Sequence, residues 1–184
     1  MEVKETFIPG LFEIQPVIHG DDRGWFIETF NTARYENLLG RKLEFVQDNM
    51  SMSSKGILRG LHFQSPPMSQ AKLVSCVSGS VLDVVVDIRS DSPSYGKHYS
   101  TVLTSDRHNQ LFIPRGMAHG FLALEDQTIF SYKCDNYYSK EHEMTLKWDD
   151  QDLDIPWGID SPIISEKDKQ GDRFSTFRTP FREM

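Results

Sequence analysis

The chain has 184 residues, with an apolar fraction of 38% and a charged fraction of 26%, which predicts one soluble globular domain spanning residues 1–184. Its formal net charge is −7 and no segment resembles a basic face, which argues against nucleic-acid binding. No apolar run approaches membrane-spanning length and the first residues do not resemble a signal peptide, so we expect a cytoplasmic protein with no membrane partner. Cys76 and Cys134 lie in apolar runs and are expected to be buried free thiols.

The N-terminal part of the chain alternates between short strand-like runs and turns. Residues 25–30 follow a turn and are predicted to form a strand, in which Phe26 and Glu28 share one face. An acid flanked by aromatic residues is unusual in a core. It is tolerable if this face lines a polar cleft.

One short helix can be predicted with both of its ends. Asn31 is a favourable N-cap for a helix that runs to Leu39, and Gly40 is a favourable C-terminal stop. Beyond residue 43 the pattern returns to short strands separated by turns. The main predicted strands are residues 57–64, 72–77, 81–89, 99–103, 110–113, 120–124 and 129–137.

The clearest of these strands, residues 81–89, carries two acids in an otherwise apolar run. Asp83 and Asp87 lie on the face that they share with Val81 and Val85.

About ten short strands, frequent turns and one or two short helices indicate an all-β fold, an antiparallel double-sheet jelly roll. Such a fold leaves an open mouth between its sheets where a ligand can bind. It also leaves sheet edges that are often buried by dimerisation or strand exchange. We therefore expect a homodimer with strand exchange.

A titratable base and a cation occur in neighbouring predicted strands. His62 follows Gly60 by two residues, and Lys72 lies ten residues further on. A base beside a cation suits proton abstraction next to a carbonyl, because the cation stabilises the enolate that forms. The alternative is a core histidine with its ring nitrogens satisfied and a lysine that reaches solvent. The local sequence alone leaves both interpretations open.

The segment from Pro114 to His119 has the pattern Pro-x-Gly-x-x-His, which resembles the second motif of the cupin superfamily. In metal-binding cupins the first motif supplies a His-x-His pair and a Glu, whereas the matching strand here has His62 followed two residues later by Gln64. His62 and His119 alone fall short of the three or four ligands that a catalytic transition metal usually has. We therefore expect a metal-free cavity and no cofactor.

Beyond this motif, the chain resembles the dTDP-4-dehydrorhamnose 3,5-epimerase family from about residue 21 to residue 168. Several dispersed matches in the right order are more specific than any one of them. The segments that carry the resemblance are residues 22–28, 45–49, 55–62, 114–121, 132–138 and 165–168.

The resemblance implies a cofactor-independent isomerase of dTDP-L-rhamnose biosynthesis. Its substrate would be a dTDP-4-keto-6-deoxyhexose, dTDP-4-keto-6-deoxy-D-glucose, inverted at C3 and C5 to give dTDP-4-keto-L-rhamnose. By the same resemblance, His62 is the general base and Asp168 the carboxylate that orients it. Lys72 would stabilise the enolate, and Tyr132 would reprotonate the opposite face of the sugar.

The resemblance also implies a set of substrate-binding residues. Arginine and lysine suit the diphosphate, amides suit a pyrimidine edge or a sugar, and aromatic rings can stack on thymine. The set comprises the cations Arg23, Arg59 and Lys167, the amides Gln47 and Asn49, the acids Glu28 and Glu143, the aromatic residues Phe26 and Tyr138, and His119.

Three other functions stay open from the sequence. A related dTDP-4-keto-sugar 3- or 5-monoepimerase could use nearly the same catalytic residues, and Ala71 and Ser75 depart from the family pattern around Lys72. A non-catalytic sugar-binding cupin would have a pocket without turnover. A metal-dependent cupin oxygenase would need a bound metal ion.

Overall fold

The computed structural model describes residues 1–182. Within this range the chain forms thirteen strands and two short helices. They are β1 (Glu2–Glu5), β2 (Phe12–Gln15), β3 (Ile18–Asp21), β4 (Gly24–Ile27), α1 (Thr32–Leu39), β5 (Gln47–Ser53), β6 (Leu58–Gln64), β7 (Lys72–Ser78), β8 (Ser80–Asp87), β9 (His98–Thr104), β10 (Gln110–Ile113), β11 (Met117–Ala123), β12 (Thr128–Cys134), β13 (Glu143–Thr145) and α2 (Glu166–Lys169).

Two sheets form the body of the molecule. One has six strands in the order β1-β2-β10-β7-β12-β5, and the other has five in the order β13-β6-β11-β8-β9. Every pairing between these strands is antiparallel. The predicted all-β fold, an antiparallel double-sheet jelly roll, is confirmed.

The space between the two sheets is filled by side chains from both. Val81 and Val85 of β8 belong to one buried cluster with Val74 and Cys76 of β7. Successive side chains of a strand point to opposite faces, so every second residue of each strand reaches this interior. Cys76 and Cys134 are buried free thiols, as predicted.

Both sheets are also covered on their outer faces. Val84 of β8 packs in a cluster with Trp157 and Phe181 of the C-terminal segment. Leu39 of α1 packs in another cluster with Phe112 of β10. Burial on both faces explains why β8 is a nearly continuous apolar run. The C-terminal segment has little periodicity in its sequence because it covers a sheet with irregular backbone.

The predicted helix is confirmed at both ends. The Asn31 side chain accepts a hydrogen bond from the Arg34 N–H at 3.1 Å, and Gly40 has a left-handed conformation with φ of 64°. A glycine is favoured there because it lacks the Cβ that opposes positive φ. No helix within residues 1–182 is long and apolar enough to span a membrane.

Strands β3 and β4 form a two-stranded hairpin apart from both sheets. The prediction that residues 25–30 form one strand is wrong beyond Ile27, where β4 ends. Trp25 and Phe26 are 60% and 68% exposed in the hairpin. The face that Phe26 was expected to share with Glu28 lines no cleft between the sheets within one chain.

Strands β6 and β11 approach each other unusually closely at two glycines. A Cβ on Gly120 would lie 2.7 Å from the carbonyl oxygen of Arg59 and 3.2 Å from the Cα of Gly60. Such distances to backbone atoms require the strands to separate. The two glycines therefore set the spacing of the strands that carry His62 and His119.

We expect Gly120→Ala to lower the free energy of unfolding by about 1–3 kcal/mol, because the added methyl group forces β6 and β11 apart. Urea denaturation followed by circular dichroism measures the change. Gly20→Ala is the control, since its Cβ would make only an ordinary contact of 3.7 Å with the Gly24 carbonyl oxygen. Equal stability of the Gly120→Ala variant and the unaltered protein would contradict the argument.

Candidate active site

Most of the predicted site residues surround two pockets that share His62. The first has a volume of about 270 Å³ and the second about 390 Å³. The predicted residues that line the first pocket are Gln47, Asn49, His62, Lys72, Tyr132, Tyr138 and Glu143. Those that line the second are Arg59, His62, Lys167 and Asp168.

The two sheets contribute different groups to the first pocket. His62 comes from β6 of the five-stranded sheet, whereas Lys72 and Tyr132 come from β7 and β12 of the six-stranded sheet. The ammonium nitrogen of Lys72 lies 5.8 Å from the centroid of the Tyr132 ring. An imidazole from one sheet and a phenol from the other thus line a single pocket, with the ammonium beside the phenol.

His62 is held by a buried carboxylate. Its Nε2 lies 2.6 Å from Oδ1 of Asp168, whose side chain is 4% exposed. The Gly60 N–H donates to the other carboxylate oxygen at 3.3 Å, and Ser165 caps the helix that carries Asp168. Burial by itself would raise the pKa of Asp168, but its hydrogen bonds with His62 and Gly60 hold that pKa below its usual value.

Burial shifts the pKa values of Lys72 and Tyr132 in opposite directions. It raises the pKa of the Tyr132 phenol, because the charged phenolate is poorly solvated there. It lowers the pKa of the Lys72 ammonium for the same reason. Tyr132 therefore keeps its proton at neutral pH and can donate it.

A second group of site residues forms the rim of the first pocket. The Tyr138 hydroxyl donates to Oε2 of Glu143 at 2.8 Å, and Lys167 forms an ion pair with the same carboxylate. Burial would raise the pKa of Glu143, but these two partners hold it below its usual value. The Gln47 side chain accepts from the Tyr138 N–H at 2.9 Å. The loop that carries Tyr138 is therefore held by two hydrogen bonds, one from its side chain and one from its backbone.

Arg59 and His119 lie at the margins of the site. The Arg59 side chain donates to the Ser53 hydroxyl at 3.1 Å. His119 lies opposite His62 in the register of β6 and β11, but its ring is buried and lines neither pocket. Its Nε2 lies 2.9 Å from Oδ2 of Asp83.

The structure does not bring Arg23, Phe26 and Glu28 to this site within one chain. Arg23 pairs with Asp21 in the β3–β4 hairpin, where it lines a separate pocket of about 210 Å³ with Phe26. Glu28 lies just beyond β4 and pairs with Arg34 at 2.9 Å.

Two residues near the site were not assigned to it from the sequence. Asp83 is the carboxylate that binds His119, and its only sequence signal is an acid within an apolar strand. Cys134 lines the first pocket and contacts the amide of Asn49 at 3.8 Å. The register of β12 against β7 places Cys134 beside Lys72. The sequence gives no signal for this contact, because the register between strands is set by the tertiary structure.

The sequence predicts a metal-free site. Within the described part of the chain, no three His, Cys, Asp or Glu side chains are grouped so that they could hold a metal ion. The expectation of a metal-free, cofactor-independent site stays a prediction.

Residues 5–176 match the protein family described as dTDP-4-dehydrorhamnose 3,5-epimerase. Over 174 residues the chain is 48% identical to a Shigella flexneri protein of that name, and the match covers 95% of this chain and 96% of that one. The fold is similar to that of dTDP-6-deoxy-D-glucose-3,5-epimerase from Legionella pneumophila, solved with dTDP-4-keto-L-rhamnose, with a TM-score of 0.95, 41% identity and coverage of 100% and 98%. It is also similar to a 3'-monoepimerase from Streptomyces bikiniensis solved with dTDP-quinovose, with a TM-score of 0.88, 33% identity and coverage of 93% and 87%. The chain therefore belongs to the dTDP-4-dehydrorhamnose 3,5-epimerase family.

Proposed function

We propose that this chain converts dTDP-4-keto-6-deoxy-D-glucose to dTDP-4-keto-L-rhamnose by inverting C3 and C5, as an isomerase of dTDP-L-rhamnose biosynthesis. The observation that carries the proposal is the single pocket in which His62 and Tyr132 come from opposite sheets and Lys72 lies beside Tyr132. Inversion needs a proton acceptor on one face of the sugar and a proton donor on the other.

The chemistry follows from the position of the ketone. The C4 carbonyl acidifies the protons on C3 and C5, so His62 can remove one of them while the electron pair moves to the C4 oxygen. Lys72 stabilises the enolate by its positive charge. Tyr132 then gives its proton to the opposite face of the same carbon. Imidazolium and phenolate return to their starting states by proton exchange with water.

Asp168 supports the base in two ways. Its 2.6 Å hydrogen bond keeps the His62 ring in one orientation and one tautomer. Its negative charge stabilises the imidazolium that forms when the proton is taken up. The lowered pKa of Asp168 keeps this carboxylate ionised throughout the neutral range.

The nucleotide part of the substrate is assigned to the rim of the first pocket and to the second pocket. Arg59 and Lys167 bind the diphosphate by charge-assisted hydrogen bonds, since both line the second pocket. Tyr138 stacks on thymine, and Gln47 and Asn49 hydrogen-bond to the sugar or the base. Glu143 contacts the substrate at the rim beside Tyr138. His119 lies opposite His62 in the strand register and is assigned a hydrogen bond to the sugar.

We infer that two chains form a homodimer in which the β3–β4 hairpin crosses to the partner. Trp25 and Phe26 of this hairpin are largely exposed in one chain. Met50 and Met52 on β5 are also 66% and 65% exposed, so apolar surface lies on an edge strand of the six-stranded sheet. Exposed apolar side chains on a hairpin and on a sheet edge are what strand exchange would bury. Arg23, Phe26 and Glu28 would then contribute to the partner's site.

The reaction predicts separate isotope signatures for the base and the acid. In heavy water, His62→Ala should lower deuterium incorporation at C3 and C5 by roughly 10²–10⁴-fold, because no base removes the proton. Tyr132→Phe should keep exchange but lose inverted product, because the enolate is reprotonated only from the His62 side. NMR of the sugar, with a coupled reductase to report the product, measures both.

The matched controls are His98→Ala and Tyr137→Phe, which lie outside both pockets. Exchange at the normal rate in His62→Ala would contradict the base assignment. Label at only one carbon in the unaltered protein would indicate a monoepimerase, and binding without any label would indicate a non-catalytic sugar-binding protein.

Asp168 also predicts a pH-dependent stability. The pKa of Asp168 in the folded protein lies below its unfolded value of about 3.9. The ionised carboxylate therefore stabilises the fold above about pH 3.9. This stabilisation is lost as the pH falls through the folded pKa. Asp168→Asn should lower the free energy of unfolding by about 1–3 kcal/mol at pH 7, and the difference should narrow below about pH 4.

Urea denaturation across a series of pH values measures this difference. Asp48→Asn is the control, because Asp48 is 69% exposed in its ion pair with Lys133 and should contribute little. A stability loss in Asp168→Asn that does not change between pH 7 and pH 3 would contradict the prediction.

Hairpin exchange can be tested by complementation between two defective chains. A His62→Ala chain and an Arg23→Ala/Phe26→Ala chain are co-expressed with different tags, and mixed dimers are isolated by two affinity steps. If the hairpin crosses, one of the two sites combines an intact His62 with an intact hairpin, so about half of the normal activity returns.

If each hairpin serves its own chain, both sites of the mixed dimer are defective and activity stays low. Each variant expressed alone provides the baseline. Sedimentation of the unaltered protein as a monomer would contradict the proposed dimer.

A further inference from the structure

A buried carboxylate next to the catalytic groups has no part in the mechanism above. The side chain of Asp83 is fully buried in the middle of β8, between the apolar residues Val81 and Val85 of the inter-sheet cluster. Its Oδ2 lies 2.9 Å from Nε2 of His119, and its Oδ1 has no hydrogen-bond partner among residues 1–182. A buried carboxylate oxygen without a partner is destabilising. Stability of the fold therefore does not explain an acid at this position.

Cationic and ionisable groups surround Asp83 from both sheets. His119 contacts it directly. Lys72 lies on the face of β7 that carries Val74 and Cys76, which pack in one cluster with Val81 and Val85, so Lys72 and Asp83 face the same interior from opposite sheets. His119 lies opposite His62 in the strand register, so the Asp83–His119 pair stands next to the base. The titratable side chains that face this interior from the strands around Asp83 are His62, Lys72, Cys76, Tyr99, His119, Tyr132, Cys134 and Glu143. Thr101, the register neighbour of Asp83, also donates a hydrogen bond to Glu13.

We propose that Asp83 is a positioning residue for the epimerisation, which orients His119 by a hydrogen bond and supplies the negative charge that keeps Lys72 an ammonium. The proposal rests on the proposed role of Lys72 at the enolate oxygen. A buried ammonium without a counter-charge would lose its proton readily, and a neutral amine would stabilise an enolate far less. Asp83 does not line the first pocket, so it can provide charge without binding the substrate.

The pH dependence of the reaction separates this role from a purely structural one. Burial lowers the pKa of Lys72, and interactions with Cys134, Asp83 and Glu143 oppose the shift. The pKa of Tyr132 is instead raised by burial, so the pKa values of Lys72 and Tyr132 move in opposite directions. Removing the Asp83 charge lowers the Lys72 pKa further. The alkaline limb of the activity profile should then move to lower pH.

Asp83→Asn tests the charge, because the amide keeps the shape and an oxygen that can accept from His119. We expect kcat to fall roughly 10- to 100-fold with little change in KM. We also expect the alkaline limb of the kcat profile to shift down by about one pH unit. A folded Asp83→Asn protein with the normal kcat and the normal alkaline limb would overturn the proposal.

Asp87→Asn is the matched control on the same strand. Asp87 is also fully buried, but Arg89, Ser92 and Ser94 satisfy it at the end of β8, away from both pockets. This variant should lose stability and keep the normal pH profile in its folded fraction. An equal shift of the alkaline limb in Asp87→Asn would overturn the assignment to Asp83.

A measurement on the unaltered protein covers the case in which Asp83→Asn does not fold. The ¹⁵N chemical shifts of the His119 ring should show a protonated Nε2 at neutral pH, because that nitrogen donates to Asp83. An unprotonated Nε2 would overturn the positioning role. Because this readout needs no turnover, its failure is distinct from failure of the proposed function, which would appear as absence of exchange at C3 and C5.

Discussion

The face-to-face packing of two antiparallel sheets is the constraint on which the site depends. Each strand sends every second side chain into the same interior, so residues far apart in the chain can line one pocket. His62 and Tyr132 arrive from different sheets for this reason. Two facing sheets can therefore place one side chain on each side of a bound flat sugar. No loop has to move to bring the two side chains together.

The cost of polar groups in such an interior explains how the site is built. A buried ionisable side chain is tolerated when a partner of opposite charge or a hydrogen bond accompanies it. His62 with Asp168 and His119 with Asp83 are two such pairs on adjacent strands. Lys72 forms no ion pair among the described residues, and burial lowers the pKa of its ammonium.

Much of the fold and the chemistry could be read from the sequence. The strand-and-turn pattern predicted the jelly roll, and Asn31 and Gly40 predicted the ends of α1, because capping depends on local backbone and side-chain chemistry. The coverage of the five-stranded sheet by Trp157 and Phe181 could not be predicted, since irregular segments have no periodic signal. The end of β4 at Ile27 was also missed, because residues 28–30 continue the same alternation.

By itself the sequence determined which side chains were available for proton transfer and, through dispersed matches, to which family the chain is similar. Only the tertiary structure decided their neighbours: Asp168 lies 106 residues from His62 and contacts it at 2.6 Å. It also showed that Arg23 and Phe26 lie on a hairpin away from that contact, and that Asp83 binds His119. The physical reason is that the chemistry of a side chain is a local property of the sequence. Strand register and sheet packing bring distant segments together, and the number of residues between two segments does not indicate how close they lie in space.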